Sequence, residues 1–447
     1  MNEGTIAAIS TPQGLGGISI VRMSGAEAID IADRVFVSAT GKRVKETPTH
    51  RILYGHIKTP DETVDEVLLM LMRGPKTFTR EDVVEFNCHG GPVVTQAVLK
   101  VLIANGARLA EAGEFTKRAF LNGRIDLTQA EGVIDLINAK TDRARKLAQT
   151  ASEGELAEVF FAARDALLSI SAELLAVVDF PEEEIEETGG IEQILADVHQ
   201  KLKSLCDGYE QGRLIREGAK VALIGSPNVG KSSVLNCLTQ TDRAIVTEIA
   251  GTTRDVLTED LNVDGIPIRL MDTAGIRDSE DVIESMGVEK SRKALDEADI
   301  VVLVLDGSRS LNDEELALLE ETKTRNHLIL ANKTDLPSAW TAEEYEAVPF
   351  CAKTGEGRKE LLTLLSQRLI GMHREDTLLL SNVRHFEQTV RALASIEQAQ
   401  QTLQAGMEPD LAIIDINAAI EALGEITGET VSEAVTDRIF SRFCLGK

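Results

Sequence analysis

The chain has 447 residues, 43% hydrophobic and 27% charged, a balance typical of folded globular proteins rather than disordered ones. Acidic residues outnumber basic ones by 73 to 47, so the net charge is −26 and most of the surface should bind polyanions poorly. No apolar run approaches the roughly 20 residues of a membrane span. The first basic residue is Arg22, and the five cysteines form no CxxC pair. We therefore expect a cytoplasmic protein without a signal peptide, disulfide framework or structural zinc site.

Residues 1–118 predict a compact α+β domain. Short apolar runs at Gly17–Val21, Ile52–Gly55 and Val67–Met72 have the composition of strands, and Pro92–Ala104 has that of a helix. This segment holds 14 basic and 14 acidic residues. The excess negative charge therefore lies in the remainder of the chain.

Residues 119–212 predict the first part of a helical domain. Thr128 and Glu131 have the spacing of a capping box, which predicts a helix start there. The following residues up to Val178 contain no proline and carry apolar side chains at helical spacing. A further helix is expected over Ile191–Gln211.

Residues 213–372 alternate apolar strands with amphipathic helices, the order expected of a parallel sheet with crossover helices. The expected strands are Lys220–Ile224, Ile266–Met271, Ile300–Leu305, Leu328–Ala331 and Val348–Cys351. Helical sequence returns in 373–447. The expected fold is therefore α/β plus α and multidomain, with a discontinuous helical domain into which a Ras-like P-loop domain is inserted.

The segment Gly225–Ser232 (GSPNVGKS) lies between a predicted strand and a predicted helix, the context of a phosphate-binding P-loop. Its glycines let backbone N–H groups point at phosphate oxygens. Lys231 supplies positive charge to the β- and γ-phosphates, and the Ser232 hydroxyl is a ligand for Mg²⁺. The motif predicts a bound nucleoside triphosphate.

Two further motifs indicate that the base is guanine. Asp272 ends a predicted strand and begins a DTAG motif, the position of a magnesium-site carboxylate. Asp335 ends an NKTD motif, and its carboxylate can accept from two donors on guanine, where adenine presents an acceptor. Cys351 begins a CAK sequence where GTPases carry a base-contacting SAK element. GTP is therefore the expected ligand.

The expected contacts to GTP come from these motifs and from the segment that precedes DTAG. They are Asn228, Val229, Gly230, Lys231, Ser232, Ser233, Thr247, Glu248, Ile249, Ala250, Gly251, Thr252, Thr253, Asp272, Thr273, Ala274, Gly275, Asn332, Lys333, Asp335, Cys351, Ala352 and Lys353. Thr253 is the second expected Mg²⁺ ligand. Ile276, however, stands where Ras-like GTPases carry the glutamine that orients the attacking water. The motifs therefore predict what is bound and leave open how it is hydrolysed.

Several blocks together resemble the tRNA-modification GTPase family called MnmE or TrmE. They are GTTRD at Gly251–Asp255, DTAGIR at Asp272–Arg277, FTRED at Phe78–Asp82, GEFTKRAFLNG at Gly113–Gly123 and FCLGK at Phe443–Lys447. GTTRD and DTAG also occur in ribosome-assembly GTPases, whereas the N-terminal blocks and the terminal sequence are more specific. The resemblance spans essentially the whole chain.

The resemblance implies a separate role for each domain. The first, 1–118, would bind tetrahydrofolate and dimerise; 119–212 and 373–447 would form the helical domain, and 213–372 the G domain. With a flavoprotein (FAD) partner, in a heterotetramer, such a homodimer adds a carboxymethylaminomethyl or aminomethyl group to C5 of the wobble uridine of certain tRNAs. The one-carbon unit comes from 5-formyl- or 5,10-methylene-tetrahydrofolate. Arg22, Glu85, Arg124 and Lys447 match the positions that line the folate site.

The resemblance also suggests how hydrolysis proceeds without the glutamine. G domains of this family dimerise around a potassium ion, which takes the place of an arginine finger. The matching K⁺ positions are Asn228, Thr247, Ile249 and Thr252, and the matching water-orienting residue is Glu284. From the sequence alone Glu284 would be one more solvated carboxylate of a helix.

Cys444 lies close to Arg438, Arg442 and Lys447, and no carboxylate side chain follows Asp437. A thiol in such surroundings is a candidate reactive group for the modification chemistry, although a packing role fits the sequence as well. The main alternative for the whole chain is a GTP-gated RNA-binding factor for ribosome assembly. The acidic, helical C-terminal segment argues against it.

Overall fold

The computed structural model describes residues 4–12, 14–180, 190–239, 260–272, 295–370, 378–444 and 446. The chain forms two compact units. The first comprises Met1–Ile134, Ser152–Phe161 and Gly424–Lys447, and the second comprises Asp135–Ala151 and Ala162–Leu423. Within the described ranges, no helix combines the length and apolar character that a membrane crossing requires.

Strands and helices are numbered here in chain order. The strands are β1 Ile6–Ile9, β2 Ile18–Ser24, β3 Phe36–Ser38, β4 Arg51–Lys58, β5 Thr63–Met72, β6 Val83–His89, β7 Arg108–Leu109, β8 Ala219–Ile224, β9 Asp260–Val263, β10 Ile266–Asp272, β11 Ile300–Asp306, β12 His327–Asn332 and β13 Val348–Pro349. The helices are α1 Ala28–Val35, α2 Pro92–Ala104, α3 Glu114–Leu121, α4 Leu127–Asn138, α5 Asp142–Glu153, α6 Glu155–Asp179, α7 Ile191–Asp207, α8 Tyr209–Glu217, α9 Lys231–Thr239, α10 Asp313–Thr322, α11 Arg358–Ile370, α12 Val383–Gln404, α13 Pro409–Thr427 and α14 Glu433–Phe440.

The first unit is built on a seven-stranded sheet in the order β3-β4-β5-β6-β2-β1-β7. All neighbouring strands are antiparallel except β1 and β7, which are parallel. Because successive strand residues point to opposite faces, one face of the sheet packs Val21, Met23 and Phe86 against α1 and α2. The same alternation leaves Arg22 and Glu85 on the other face as direct cross-strand partners.

The second unit contains a six-stranded sheet in the order β13-β12-β11-β8-β10-β9. It is parallel except for the edge hairpin β9–β10. Alternate residues of β8 enter two separate cores: Val221 and Leu223 lie in one, Ala222 and Ile224 in the other. A sheet buried on both faces explains why these strands read as continuous apolar runs. The carboxyl ends of β8, β10, β11 and β12 therefore meet at one edge of the sheet.

The fold class expected from the sequence is confirmed, as are the predicted strands of both sheets, with limits that differ by a few residues. The hairpin strand β9 was not predicted. The helical run after residue 127 is divided: the Thr141 hydroxyl accepts from the Ala144 amide at the start of α5, and Gly154, with φ +95°, separates α5 from α6.

The predicted capping box at Thr128 and Glu131 is wrong. The helix begins at Leu127, and the reciprocal bonds of the capping box join Asp126 and Gln129. The backbone amide of Gln129 donates to the Asp126 side chain, and the backbone amide of Asp126 donates to the Gln129 side chain, both at 3.0 Å. The expected helix Ile191–Gln211 is also divided, into α7 and α8 around Gly208. The domain limits 1–118, 119–212, 213–372 and 373–447 remain predictions.

Gly212 provides a stability test. A Cβ atom on Gly212, in α8, would lie 1.9 Å from the carbonyl oxygen of Leu380. Because a backbone carbonyl cannot rotate away, we expect Gly212→Ala to destabilise the fold by about 2–3 kcal/mol. Thermal unfolding followed by circular dichroism measures the shift. Gly17→Ala is the control, because a Cβ there meets no atom within 4 Å. Equal midpoints for the two variants would contradict the packing argument.

Candidate functional site

The P-loop lies between the end of β8 and the start of α9, as expected. Both of its glycines are required by close approach as well as by backbone conformation. Gly225 has φ +147°, and a Cβ there would lie 2.3 Å from the Val304 carbonyl oxygen. Gly230 has φ +101°, and its Cβ would lie 2.4 Å from the side-chain nitrogen of Asn332. The loop can therefore take this path only with glycine at both positions.

Lys231 occupies the first position of α9 and turns its ammonium back onto the loop. Its Nζ donates to the carbonyl oxygens of Gly225 at 2.5 Å and Ser226 at 3.0 Å. Ser232 and Ser233 follow at the exposed start of the helix. The Lys231 ammonium and the backbone amides of the first turn of α9 together form an anion-binding site. The Ser232 hydroxyl is an oxygen ligand of the kind that Mg²⁺ prefers. These residues fit a magnesium-bound phosphate chain.

Asn332, at the end of β12, connects the P-loop to the CAK segment. Its side-chain nitrogen donates to the Val229 carbonyl at 2.8 Å, and its side-chain oxygen accepts from the Ala352 amide at 3.1 Å. The residue is 2% exposed. Because both ends of a buried amide are satisfied, Asn332 fixes the distance between the phosphate-binding and base-binding segments.

Lys333 makes a second connection to the P-loop. Its Nζ donates to the Asn228 carbonyl at 3.0 Å and to Oδ2 of Asp306 at 2.6 Å. Both Lys333, at φ +71°, and Asn228, at φ +67°, have left-handed backbone conformations. Such conformations are costly for residues other than glycine and persist where surrounding bonds impose them.

Asp306, at the end of β11, is a residue that the motif search missed. Its side chain is 6% exposed and accepts from the Ser308 amide at 3.0 Å and hydroxyl at 2.6 Å, as well as from Lys333. Burial by itself would raise the pKa of Asp306, but the hydrogen bonds from Lys333 and Ser308 outweigh it and lower the pKa below 3.8. The available sequence signal was an acidic residue that directly follows a buried apolar strand.

The residues expected to recognise the base lie on neighbouring turns. Oδ2 of Asp335 is 3.9 Å from Nζ of Lys353, whose side chain is 84% exposed. Cys351, which replaces the usual serine, is buried, and its backbone pairs with Glu356. The exposed Lys353 side chain therefore lies beside the Asp335 carboxylate.

Several expected site residues lie outside the described residues, so the structure gives no account of them. They are Thr247, Glu248, Ile249, Ala250, Gly251, Thr252, Thr253, Thr273, Ala274, Gly275, Ile276, Glu284 and Lys447. Asp272 is described only through its backbone, as the last residue of β10.

The expected folate residues lie in the first unit. Nε of Arg22 donates to Oε1 of Glu85 at 2.7 Å, and its Nη1 to the Gly446 carbonyl at 3.5 Å. The Ser10 hydroxyl also donates to that carbonyl, at 3.1 Å. Arg124 lies 4.8 Å from the centre of the Phe78 ring. The sequence-distant residues 22, 85 and 446 are thus brought together.

The C-terminal tail is held closely at this site. Gly446 has φ +88°, and a Cβ there would lie 2.3 Å from the Ile9 carbonyl oxygen. Two residues earlier, Cys444 is exposed, and its carbonyl accepts from the Gly113 amide at 3.5 Å. The tail glycine is therefore required by its contacts, and the thiol next to it is accessible.

A ladder of alternating charges next to this site was not predicted. Glu114, 9% exposed, is paired with both Arg108 and Arg118, and Arg118 reaches Glu81 at 3.0 Å. The four side chains line a cavity of about 1110 Å³ that includes neither Arg22, Glu85 nor Arg124. The i, i+4 spacing of Glu114 and Arg118 was visible in the sequence, and Arg108 lies only 6 residues before Glu114, but Glu81 is 37 residues from Arg118.

Comparison with known proteins gives the family. A model of the GTP-binding protein TrmE N-terminus matches residues 5–124, and a model of the MnmE helical domain matches residues 127–444. The chain belongs to the MnmE family. It is 47% identical to the tRNA modification GTPase MnmE of Streptococcus thermophilus, over 99% of this chain and 98% of that protein. It is 48% identical to MnmE of Geobacillus thermodenitrificans, over 99% of each chain. The predicted family is confirmed, and with it the assignment as a GTP hydrolase.

Asp306 provides a test of the site. In Asp306→Asn, Lys333 loses a charge-assisted hydrogen bond, so we expect GDP and GTP affinity to fall about tenfold. Because the pKa of Asp306 is lowered, its contribution is fully present above pH 3.8 and is lost only as the pH falls further. Titration with a fluorescent guanine nucleotide at pH 7 measures the loss. Asp313→Asn, in the exposed first turn of α10, is the control, and equal affinities would refute a positioning role for Asp306.

Proposed function

We propose that this MnmE-family GTPase works with a flavoprotein partner. Together they add a carboxymethylaminomethyl or aminomethyl group to C5 of the wobble uridine of certain tRNAs. A tetrahydrofolate supplies the one-carbon unit in this proposal, and the working assembly is a heterotetramer built on a homodimer of this chain. The observation that supports it most is the family match along almost the entire chain. The same match favours tRNA modification over the alternative of a ribosome-assembly factor.

In the proposed hydrolysis, Lys231 neutralises charge that develops on the phosphates, and Asn332 and Lys333 keep the P-loop in place beneath them. Ser232 and Thr253 would hold Mg²⁺. Asp335 would discriminate guanine by accepting two hydrogen bonds. The connections of Asn332 and Lys333 to the P-loop support this division of roles.

Asn228 is the described member of the proposed potassium site. Its backbone carbonyl is engaged by Lys333, whereas the residue itself is exposed. A side-chain oxygen on an anchored backbone suits a weakly held monovalent cation. Thr247, Ile249 and Thr252 would supply the remaining oxygens, and Glu284 would orient the attacking water. A cation at this point would supply part of the charge stabilisation that an arginine finger gives other GTPases.

Arg22, Glu85, Arg124 and Lys447 are proposed to hold the folate. The Arg22–Glu85 pair offers donors and an acceptor on one face of the sheet, and the tail carbonyl of Gly446 meets the same arginine. This contact would bring the exposed Cys444 thiol near the bound one-carbon unit. Cys444 is accordingly proposed as a reactive thiol in the modification chemistry, and not as a residue that only positions the tail.

The hydrolysis proposal predicts dependence on the cation. We expect GTP turnover to be stimulated by potassium chloride and not by sodium chloride. We expect Glu284→Ala to retain GTP affinity and to lose most turnover, about a hundredfold or more, because it removes the group that orients water. Steady-state phosphate release measures both effects, with Glu289→Ala as the matched carboxylate control. Equal rates in the two salts, or normal turnover in Glu284→Ala, would refute this part of the proposal.

The modification proposal predicts a change in cellular tRNA. Mass spectrometry of tRNA nucleosides should show loss of the C5-substituted wobble uridine in cells that lack the gene. The wild-type chain should restore it, and Cys444→Ser should not, if the thiol reacts. Unchanged nucleosides after gene loss would refute the function. Full restoration by Cys444→Ser would refute only the role of the thiol.

A further inference from the structure

The single tryptophan of the chain, Trp340, is bonded to the strand end that carries Asp306. Nε1 of Trp340 donates to the backbone carbonyl of Asp306 at 3.1 Å. The ladder between β11 and β8 ends at the pair Leu303 and Ile224, so this carbonyl lies beyond that ladder and accepts from the indole. The bond joins a side chain from the segment that follows the NKTD motif to the carboxyl end of β11.

The indole of Trp340 is itself fixed in position. Its ring contacts the Tyr345 ring edge-on, with 5.3 Å between the ring centres and 86° between the planes. Both rings pack against the core that includes Leu305. The backbone beside the ring is also held, because the Ala339 amide donates to the Gly307 carbonyl at 2.9 Å. The indole N–H is therefore directed at the end of β11 in one arrangement, which lowers the entropic cost of its hydrogen bond.

The side chain of Asp306 continues the connection to the P-loop. Its Oδ2 accepts from Nζ of Lys333 at 2.6 Å, and the same Nζ donates to the Asn228 carbonyl at 3.0 Å. Because the carbonyl and the carboxylate of Asp306 share one Cα atom, holding the carbonyl limits the positions that the carboxylate can take. A charge-assisted hydrogen bond depends on distance and angle, so its strength depends on this restriction. A continuous series of bonds thus runs from Trp340 to the P-loop.

We propose that Trp340 is a positioning residue for guanine-nucleotide binding. Its N–H holds the end of β11 so that the Asp306 carboxylate stays within reach of Lys333. Lys333 in turn keeps the Asn228 carbonyl of the P-loop in place. Trp340 acts through Asp306 and needs no contact with the nucleotide. This role requires only a chain that binds GTP, and it is independent of the tRNA chemistry proposed above.

A cavity beside the indole makes Trp340 a natural reporter of the site. Trp340 lines this cavity of about 470 Å³ together with Lys333 and Thr334 of the NKTD motif. The emission of an indole depends on the polarity and mobility of its surroundings. Because the chain has one tryptophan, its intrinsic emission reports on this place alone. A nucleotide that binds at the NKTD motif should therefore change the emission of the wild-type chain.

The first test compares substitutions in the two neighbouring rings of the full-length chain. Trp340→Phe keeps an aromatic ring in the core and removes the N–H. Tyr345→Phe removes a hydroxyl from the other ring and leaves the bond to Asp306, so it is the matched control. We expect GDP affinity to fall about fivefold in Trp340→Phe, the effect of one lost hydrogen bond, and to stay at the wild-type value in the control. The anisotropy of a fluorescent guanine nucleotide measures both affinities.

The second test separates positioning from general destabilisation. In an Asp306→Asn background, Trp340→Phe should cause no further loss of affinity, because the carboxylate that it positions is already absent. In the wild-type chain, GDP should change the intrinsic emission, and Asp306→Asn should reduce that change at saturating GDP.

Three outcomes would overturn the proposal: equal affinities for Trp340→Phe and its control, fully additive losses in the double variant, or a wild-type emission that GDP leaves unchanged. The emission measurement needs no substitution at position 340, so it decides the question even where Trp340→Phe fails to fold. Failure of the tRNA-modification function appears separately, as unchanged nucleosides after gene loss.

Discussion

The buried side chain of Asn332 is the constraint on which the nucleotide site depends. It joins the P-loop to the CAK segment through two hydrogen bonds, and Gly230 lacks a Cβ because that amide occupies the space. An amide that lost either partner would leave a polar group unsatisfied in the core, at a cost of about 1–3 kcal/mol. The separation between phosphate-binding and base-binding segments is therefore part of the packed interior and is not set by the loops themselves.

The bonds of Lys333 extend this constraint to a third strand. Asp306 ends β11, Asn332 ends β12 and Asn228 follows β8, so the ammonium of Lys333 connects the carboxyl edges of the strands around it. Because β8 and β11 are adjacent in a sheet buried on both faces, their ends cannot separate without breaking the core. The site thus takes its rigidity from the parallel sheet.

The sequence allowed much of this arrangement to be predicted. The buried strands β8, β10, β11 and β12 are apolar runs, and the glycines and Lys231 have the spacing of a P-loop between a strand and a helix. Asp306 escaped prediction because its partner, Lys333, is 27 residues away and belongs to a motif that was interpreted by itself. In the charge ladder around Glu114, the contact of Arg118 with Glu81 escaped for the same reason, since these residues are 37 positions apart. The spacing of residues that are close along the chain can be read from a single sequence. The strand register that brings distant side chains together cannot.

The helix limits were predicted wrongly for a different reason, because two local capping patterns were present in the sequence and competed. Thr128 and Glu131 had the spacing of a capping box, yet Asp126 and Gln129 form it, two residues earlier. Aspartate caps at least as well as threonine, so propensity alone could not choose between the two frames. The packing of Leu127 favours the earlier start. Leu127 is fully buried against Phe440 and Phe443, and a helix that began later would have removed it from that core.

The strand β10 links the nucleotide edge of the sheet to the helical segment. It ends at Asp272, the expected magnesium-site position, and its first residue follows Gly265, whose carbonyl accepts from Thr141. The same threonine caps α5. A strand in a buried sheet moves as a rigid element, since its ladder bonds to β8 fix its register. Asp272 and the Gly265 turn that contacts Thr141 therefore lie at opposite ends of one strand whose register is fixed.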